Sequence, residues 1–356
     1  MRVRVAIIGA GPAGASCALS LSQAGIDNVL IDRKRTPGSP VQCAEFVPIE
    51  VNRYIPLSKI PAAVNQAVGF MDVDTGRKTY GFDGKGYVLN RDLFDEFIVR
   101  SAQEKGTVLL SRTAAVKVIP GINTVVVKDL SSNALKDIGY SYLVIASGPR
   151  NSLHLGRTLE NSSYVSALQV RTGLMKKLDR TICYFRNYIP WGYGWVFPKG
   201  DFANAGMGIV KSMSLVSLSL SLGLFLKELK ESGVINGEIY GRTSGLIPVS
   251  GMNGLYAGNI ALCGDAAGLA HPVTGAGILN AIISGRMLGE FIAEGMGKSV
   301  NTLKDYSEEM KSIYLGPLAV AAEKRNIIYK RITGGEETDS LIKYLWPSFN
   351  EYYDIV

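Results

Sequence analysis

Apolar positions near the start of the chain gather into two short runs, residues 3–8 and 28–31. Between them lie a glycine cluster and a stretch, residues 15–24, whose apolar residues recur with helical spacing. Two largely apolar runs bracketing a helix predict buried parallel strands of an α/β domain. Residues 66–88 instead alternate apolar and polar, with turns at Asp74-Thr75-Gly76 and Asp83-Gly84, and predict short antiparallel strands. A strand then passes into an amphipathic helix across residues 87–97, which Asn90 or Asp92 could cap. A strand at 108–110, a hairpin-like stretch at 114–127 and a buried strand at 141–148 follow. The pattern is β again over 164–210 and helical over 212–231. Residues 257–268 read as a strand running into Gly-Asp, and 278–294 as a helix.

The glycines between the first two runs, Gly9, Gly11 and Gly14, each have a mechanical reason. The first permits a tight turn, the second lets backbone approach a pyrophosphate, and the third lets helix and strand pack closely. Asp32, at the end of the second run, is placed to accept hydrogen bonds from an adenosine ribose. Strand, glycines, helix, strand and acid in this order predict dinucleotide binding. A second motif about 250 residues later, Gly264-Asp265 followed by Gly275-Ala276-Gly277 opening the helix at Ile278, selects FAD. Asp265 would hold the ribityl hydroxyls, and the helix would aim its positive end at the flavin N1–C2=O edge.

These motifs predict a Rossmann-like FAD-binding domain assembled from residues 1–150 and 245–298. An antiparallel β-sheet substrate domain is expected at 151–244, and a short helical segment at 299–356. With 47% hydrophobic and 19% charged residues in 356, a substantial core is affordable and global disorder is excluded. No apolar run reaches the length of a membrane span, and the first strand leaves no room for a signal peptide. Cys17, Cys43, Cys183 and Cys263 lack CxxC spacing, and His154 and His271 are the only histidines. Structural zinc and a His-based triad are therefore disfavoured, no metal is expected, and a reducing cytoplasm fits. The net charge of +7 suits an anionic ligand or peripheral contact with a membrane surface, but its scattered charges fit a solvated surface equally well. No nucleic-acid partner is expected.

Two further stretches carry chemistry. In Gln42-Cys43-Ala44-Glu45, Cys43 reads either as a small buried apolar residue or as a thiol beside the flavin, with Glu45 a nearby carboxylate. Tyr193, Trp195 and Phe197 sit two apart and share one face of a strand. Such a face is plain core, or the wall of a pocket for a flat ring or a long apolar ligand. Arg91, at a helix start, is a surface ion-pair residue or reaches the cofactor.

Three segments carry a family resemblance: PGSPVQCAE, YVLNRDLFD and above all YGWVFPKGDFANAGMGI. With the more widely shared CGDAAGLAHPVTGAGILNAI, they make the chain resemble the geranylgeranyl reductase family of FAD-dependent flavoproteins, which have the p-hydroxybenzoate hydroxylase type of fold. In the third segment Tyr193, Trp195, Phe197, Pro198, Lys199, Asn204, Gly206 and Gly208 match the family form. The resemblance implies an enzyme that saturates prenyl double bonds by hydride from flavin N5 plus protonation. The substrate would be an archaeal-type ether membrane lipid or its prenyl diphosphate precursor. FAD would then be held by Gly9, Gly11, Ala13, Gly14, Asp32 and Arg33 at one end, and by Cys43, Ala44, Arg91 and Gly148 alongside. Gly264, Asp265, Gly275, Ala276, Gly277 and Ile278 would complete its site. Cys43 and Glu45 are the candidates for the proton, beside a bound water, and Tyr193, Trp195, Phe197 and Pro198 would border the isoprenoid cavity.

The chain departs from the family in two places. It reads Ala146-Ser147-Gly148 where many members read apolar-x-Asp-Gly, and its segment after residue 300 is short. No second GxGxxG is present, which leaves the external electron donor open between NAD(P)H and ferredoxin. A monooxygenase or a halogenase would share the fold and the FAD motifs, and a non-catalytic FAD electron-relay or lipid-binding protein is the remaining alternative.

Overall fold

The computed structural model describes residues 1–149, 164–210, 217–252, 254–298 and 301–354. Parts of the expected insert (151–163) and of the expected helix at 212–231 (212–216) lie outside the described residues. The chain opens with β1 (Arg2–Ile8), α1 (Pro12–Gln23) and β2 (Asn28–Ile31), followed by β3 (Phe46–Pro48), β4 (Val64–Asp74) and β5 (Thr79–Leu89). Next come α2 (Arg91–Gln103), β6 (Val108–Leu110), β7 (Thr113–Ile119), β8 (Thr124–Asp129) and β9 (Leu135–Ile145). The middle of the chain holds β10 (Tyr164–Leu174), β11 (Arg180–Tyr184), β12 (Tyr193–Lys199), β13 (Phe202–Ile209), α3 (Leu218–Glu231) and β14 (Ile235–Pro248). The last elements are β15 (Tyr256–Ala257), β16 (Ile260–Leu262), α4 (Ile278–Gly295), α5 (Thr302–Thr333) and α6 (Thr338–Leu345).

Two eight-stranded mixed sheets result. The first runs β15-β16-β9-β1-β2-β6, with the β7–β8 hairpin joined through β8 to β9. Its central pairs, β16–β9, β9–β1, β1–β2 and β2–β6, are parallel. The apolar runs at 3–8 and 28–31 are thus neighbours, with Ile8 opposite Ile31. From Val5 to Ile8 and from Asn28 to Ile31 both faces are buried, as a continuous buried strand requires. Helices α1 and α4 lie against each other at backbone distance: a Cβ on Gly285 would come within 1.9 Å of the Ala13 carbonyl oxygen.

The second sheet runs β14-β10-β13-β12-β11-β4-β5-β3. All its pairs are antiparallel except β11–β4. Sheet membership therefore cuts across the expected boundary at 150, because residues 46–48 and 64–89 belong to the second sheet together with 164–248. Alternating apolar residues specify a half-buried strand but not its partners, and here one of the two partners of β4, β11, lies more than 100 residues downstream. One face of this sheet carries the aromatic side chains of β12, and Ile328 and Tyr329 of α5, Leu345 of α6 and Trp346 just beyond it are buried in the same apolar cluster. Among the described residues no helix is long and apolar enough to cross a membrane.

Candidate active site

The turn from β1 into α1 is built by its glycines. Gly9 has φ +105°, and a Cβ there would come within 2.3 Å of the Ala146 carbonyl oxygen; one on Gly14 would come within 1.9 Å of the Gly9 carbonyl oxygen. Gly11 differs, since a Cβ there would meet nothing within 4 Å. That open position faces the start of α1, whose cap Gly11 offers no side-chain partner to the first backbone N–H groups. Asp32 closes the turn: its carboxylate accepts from the backbone N–H of Ala10 and of Lys34, both at 2.7 Å. Each oxygen keeps a second lone pair for a ribose hydroxyl. Arg33 is exposed beside it.

The end of β9 approaches the same turn. Gly148 has φ +76° and open space at its Cβ position, and the buried Ser147 hydroxyl has no hydrogen-bond partner among the described residues. On the other flank, Gly264 has φ +61°, and a Cβ there would come within 2.9 Å of the Ala13 methyl. Asp265 follows, and a Cβ on Gly277 would lie 3.0 Å from its Oδ1. No hydrogen bond reaches this carboxylate among the described residues, and burial pushes it up to about 6 although the Arg91 guanidinium pulls the other way. A half-buried acceptor without donors among the described residues, at the uncapped start of α4 (Gly277, Ile278), fits a ligand that brings hydroxyl groups. Gly275 (φ +69°) and Ala276 form the turn before it. That turn is held by His271, whose Nδ1 accepts from the backbone N–H of Val273 (3.3 Å) and Thr274 (3.2 Å). Burial lowers the imidazole to about 4, so it is neutral at neutral pH. The open Gly11 position, the unpartnered Ser147 and the unsatisfied Asp265 fit FAD.

Between these flanks lies the loop with Cys43, Ala44 and Glu45. Its carbonyls are fixed by the second sheet: Thr243 donates to Val41 (2.8 Å), Gln169 to Cys43 (3.1 Å) and Asn204 to Ala44 (3.2 Å). Glu45 is buried and has φ +74°, a conformation that non-glycine residues rarely adopt. Its Oε2 accepts from Lys199 Nζ at 2.6 Å and Asn204 Nδ2 at 2.8 Å, and its Oε1 from the Arg91 backbone N–H at 3.0 Å. The backbone N–H of Glu45 donates to Cys43 Sγ at 3.2 Å. Burial pushes the Cys43 thiol up, against the Arg91 guanidinium. Arg91 itself makes a two-point pair with the buried Asp95, at 2.9 and 2.8 Å, while its remaining N–H groups have no such partner among the described residues.

Trp195 and Phe197 are 6% and 9% exposed, and Pro198 is buried. Tyr193 packs edge-on against Trp195 and Trp346, and Phe197 against Phe46. The Tyr193 hydroxyl donates to the Thr274 carbonyl, tying the aromatic strand to the turn before α4. Room for the Trp195 indole comes from Gly206, where a Cβ would come within 2.7 Å of Cζ2. Its N–H donates to Gln169 Oε1 at 2.9 Å. Sequence reasoning missed Gln169, Thr243 and Asp95, and assigned nothing to Lys199. The only local signal was a lysine ending an otherwise apolar strand, Tyr193–Lys199.

The model of the pyridine nucleotide-disulphide oxidoreductase family matches residues 3–182. A digeranylgeranylglycerophospholipid reductase of Methanococcus vannielii is 31% identical over 87% of this chain and 80% of its own. One from Methanopyrus kandleri is 30% identical over 91% and 90%. Among solved structures, a geranylgeranyl bacteriochlorophyll reductase-like protein of Thermoplasma acidophilum superposes with a TM-score of 0.84 at 23% identity, covering 97% of this chain and 90% of that one, and shares the fold. The chain belongs to the pyridine nucleotide-disulphide oxidoreductase family by its N-terminal half, and to the geranylgeranyl reductases, FAD-dependent flavoproteins, over nearly its whole length.

Proposed function

We propose that the protein saturates the double bonds of geranylgeranyl chains, carried on a glycerophospholipid or a prenyl diphosphate. The observation that carries this reading is the near full-length similarity to two digeranylgeranylglycerophospholipid reductases at 30% identity or above. Bound FAD, once reduced, supplies the hydride. An isolated alkene has no carbonyl to stabilise a developing carbanion, so the chain must place a proton donor at the other alkene carbon and keep water out.

Gly9, Gly11 and Gly14 seat the pyrophosphate, Asp32 takes the ribose, and Arg33 lies at its rim. Ala13 and Gly264 keep α1, α4 and the cofactor turn in close contact. Asp265 accepts the ribityl hydroxyls, and the start of α4 at Gly275–Ile278 turns its positive end to the ring. Gly148, Ala44 and Arg91 line the remaining edge. Cys43 holds the proton: its thiol is kept neutral by burial, whereas the Glu45 oxygens are engaged as acceptors. Tyr193, Trp195, Phe197 and Pro198 form the apolar wall along which the prenyl chain lies. The reducing equivalents come from an external donor, NAD(P)H or ferredoxin. The protein works in the cytoplasm and meets its lipid by peripheral contact with the bilayer.

The test is anaerobic incubation of the dithionite-reduced holoprotein with geranylgeranyl phospholipid and with geranylgeranyl diphosphate. Products should be heavier by about 2 Da for each double bond saturated, since each receives two hydrogens. No mass gain on either substrate, with competent reduced flavin present, rules the reading out.

A further inference from the structure

We propose that Lys199 and Gln169 are positioning residues that set the orientation of the Cys43 thiol. The proposal deepens the reading of Cys43 as proton source and rests on it. The thiol sits between two peptide groups, and each is clamped from the second sheet. On one side, the Cys43 carbonyl accepts from Gln169 Nε2 at 3.1 Å. The amide cannot turn over, because the Trp195 indole N–H only donates and so demands Gln169 Oε1, at 2.9 Å. On the other side, the Glu45 N–H reaches Cys43 Sγ at 3.2 Å.

That second contact occurs while Glu45 holds φ +74°. Glycine takes such a conformation freely, but a side-chain-bearing residue holds it only when its surroundings over-determine it. Here they do so through the carboxylate. Lys199, 8% exposed, and Asn204 grip Oε2 at 2.6 and 2.8 Å, and the Arg91 N–H grips Oε1 at 3.0 Å. Asn204 also holds the Ala44 carbonyl between the two clamps, at 3.2 Å. A sulfur that accepts the Glu45 N–H presents its own S–H away from that donor, free for transfer elsewhere. The simpler alternative is that these bonds only staple the loop to the second sheet.

Alkylation of Cys43 by iodoacetamide separates the two, followed by peptide mass spectrometry across the thiol's titration range in apo and FAD-loaded protein. Cys17, Cys183 and Cys263 are buried and serve as internal references. In Lys199→Met and Gln169→Leu the N–H···S bond loosens, so the alkylation midpoint should move to higher pH by about half a unit or more. On a prenyl substrate kcat should fall about tenfold while KM holds, as expected when only the orientation of a reacting group is lost. Gln169→Leu and Trp195→Phe leave no unpaired charge, and carry the test if Lys199→Met is insoluble. A smaller midpoint shift in the soluble variants, whatever their melting temperatures, makes the contacts a staple and overturns the proposal. Because alkylation needs no prenyl substrate, this outcome is independent of whether the reductase reading stands.

Discussion

The hydroxyl of Tyr193 donates to the backbone carbonyl of Thr274, so one strand of the second sheet holds the turn from which α4 springs. Its ring is meanwhile locked against Trp195 and Trp346. Tyr193→Phe removes the bond and keeps the ring. It should cost about 1 kcal/mol of stability, the usual worth of one hydrogen bond, and weaken FAD binding about fivefold. Thermal melts and flavin fluorescence titration check both.

Two glycines three residues apart should respond oppositely to alanine. Gly11→Ala places its methyl in open space, so apo stability should fall by about 1 kcal/mol or less, the range for a weaker helix cap. FAD affinity should nonetheless fall about tenfold or more, because the methyl stands where the phosphates must approach. Gly14→Ala drives a methyl into the Gly9 carbonyl and should destabilise the fold itself by about 3 kcal/mol. Paired measurements of melting temperature and FAD Kd distinguish the two.

Asp265 should make the apoprotein less stable as pH rises. Its folded value of about 6 lies above the ordinary 3.8, so the unfolded chain releases this proton first and gains on the native state across that window. The full difference corresponds to about 3 kcal/mol, reduced to about 2 by partial exposure. Asp265→Asn should therefore stabilise the apoprotein at neutral pH by up to about 2 kcal/mol, change nothing well below pH 4, and bind FAD about tenfold more weakly. Denaturant melts of both apoproteins at acidic and neutral pH measure this.

His271 acts in the other direction. Its folded value of about 4 lies below 6.5, so its contribution is present above pH 6.5 and is lost as pH falls towards 4. His271→Asn supplies an amide oxygen to the same backbone donors without a basic group. The variant should lose the part of the acid-side decline between pH 6.5 and 4 that wild type shows.

What could be read from the sequence is what local geometry demands. Gly9, Gly14 and Asp32 serve a turn that closes within about two dozen residues, and the apolar runs flanking it are buried because both faces of their strands are covered. What escaped depends on long-range pairing. The alternation in residues 66–88 identified strands but could not place them beside β11. Glu45 was read only as a carboxylate next to Cys43, and its partner Lys199 lies 154 residues away. The aromatic face of β12 was open between core and cavity wall; it packs with Trp346, from a C-terminal segment whose sequence offered only a short helical tail.

The β4–β11 pair has a consequence for how this protein can be recombined. The second sheet is woven from two stretches of chain on either side of the β6–β9 region, so it is not a cassette. A chimera that exchanged residues 164–248 alone for those of a relative would join a foreign β11 to the resident β4 and a foreign Lys199 position to the resident Glu45. Substrate preference should therefore transfer between relatives only when residues 41–89 travel with that segment, and the two stretches are expected to vary in concert rather than singly.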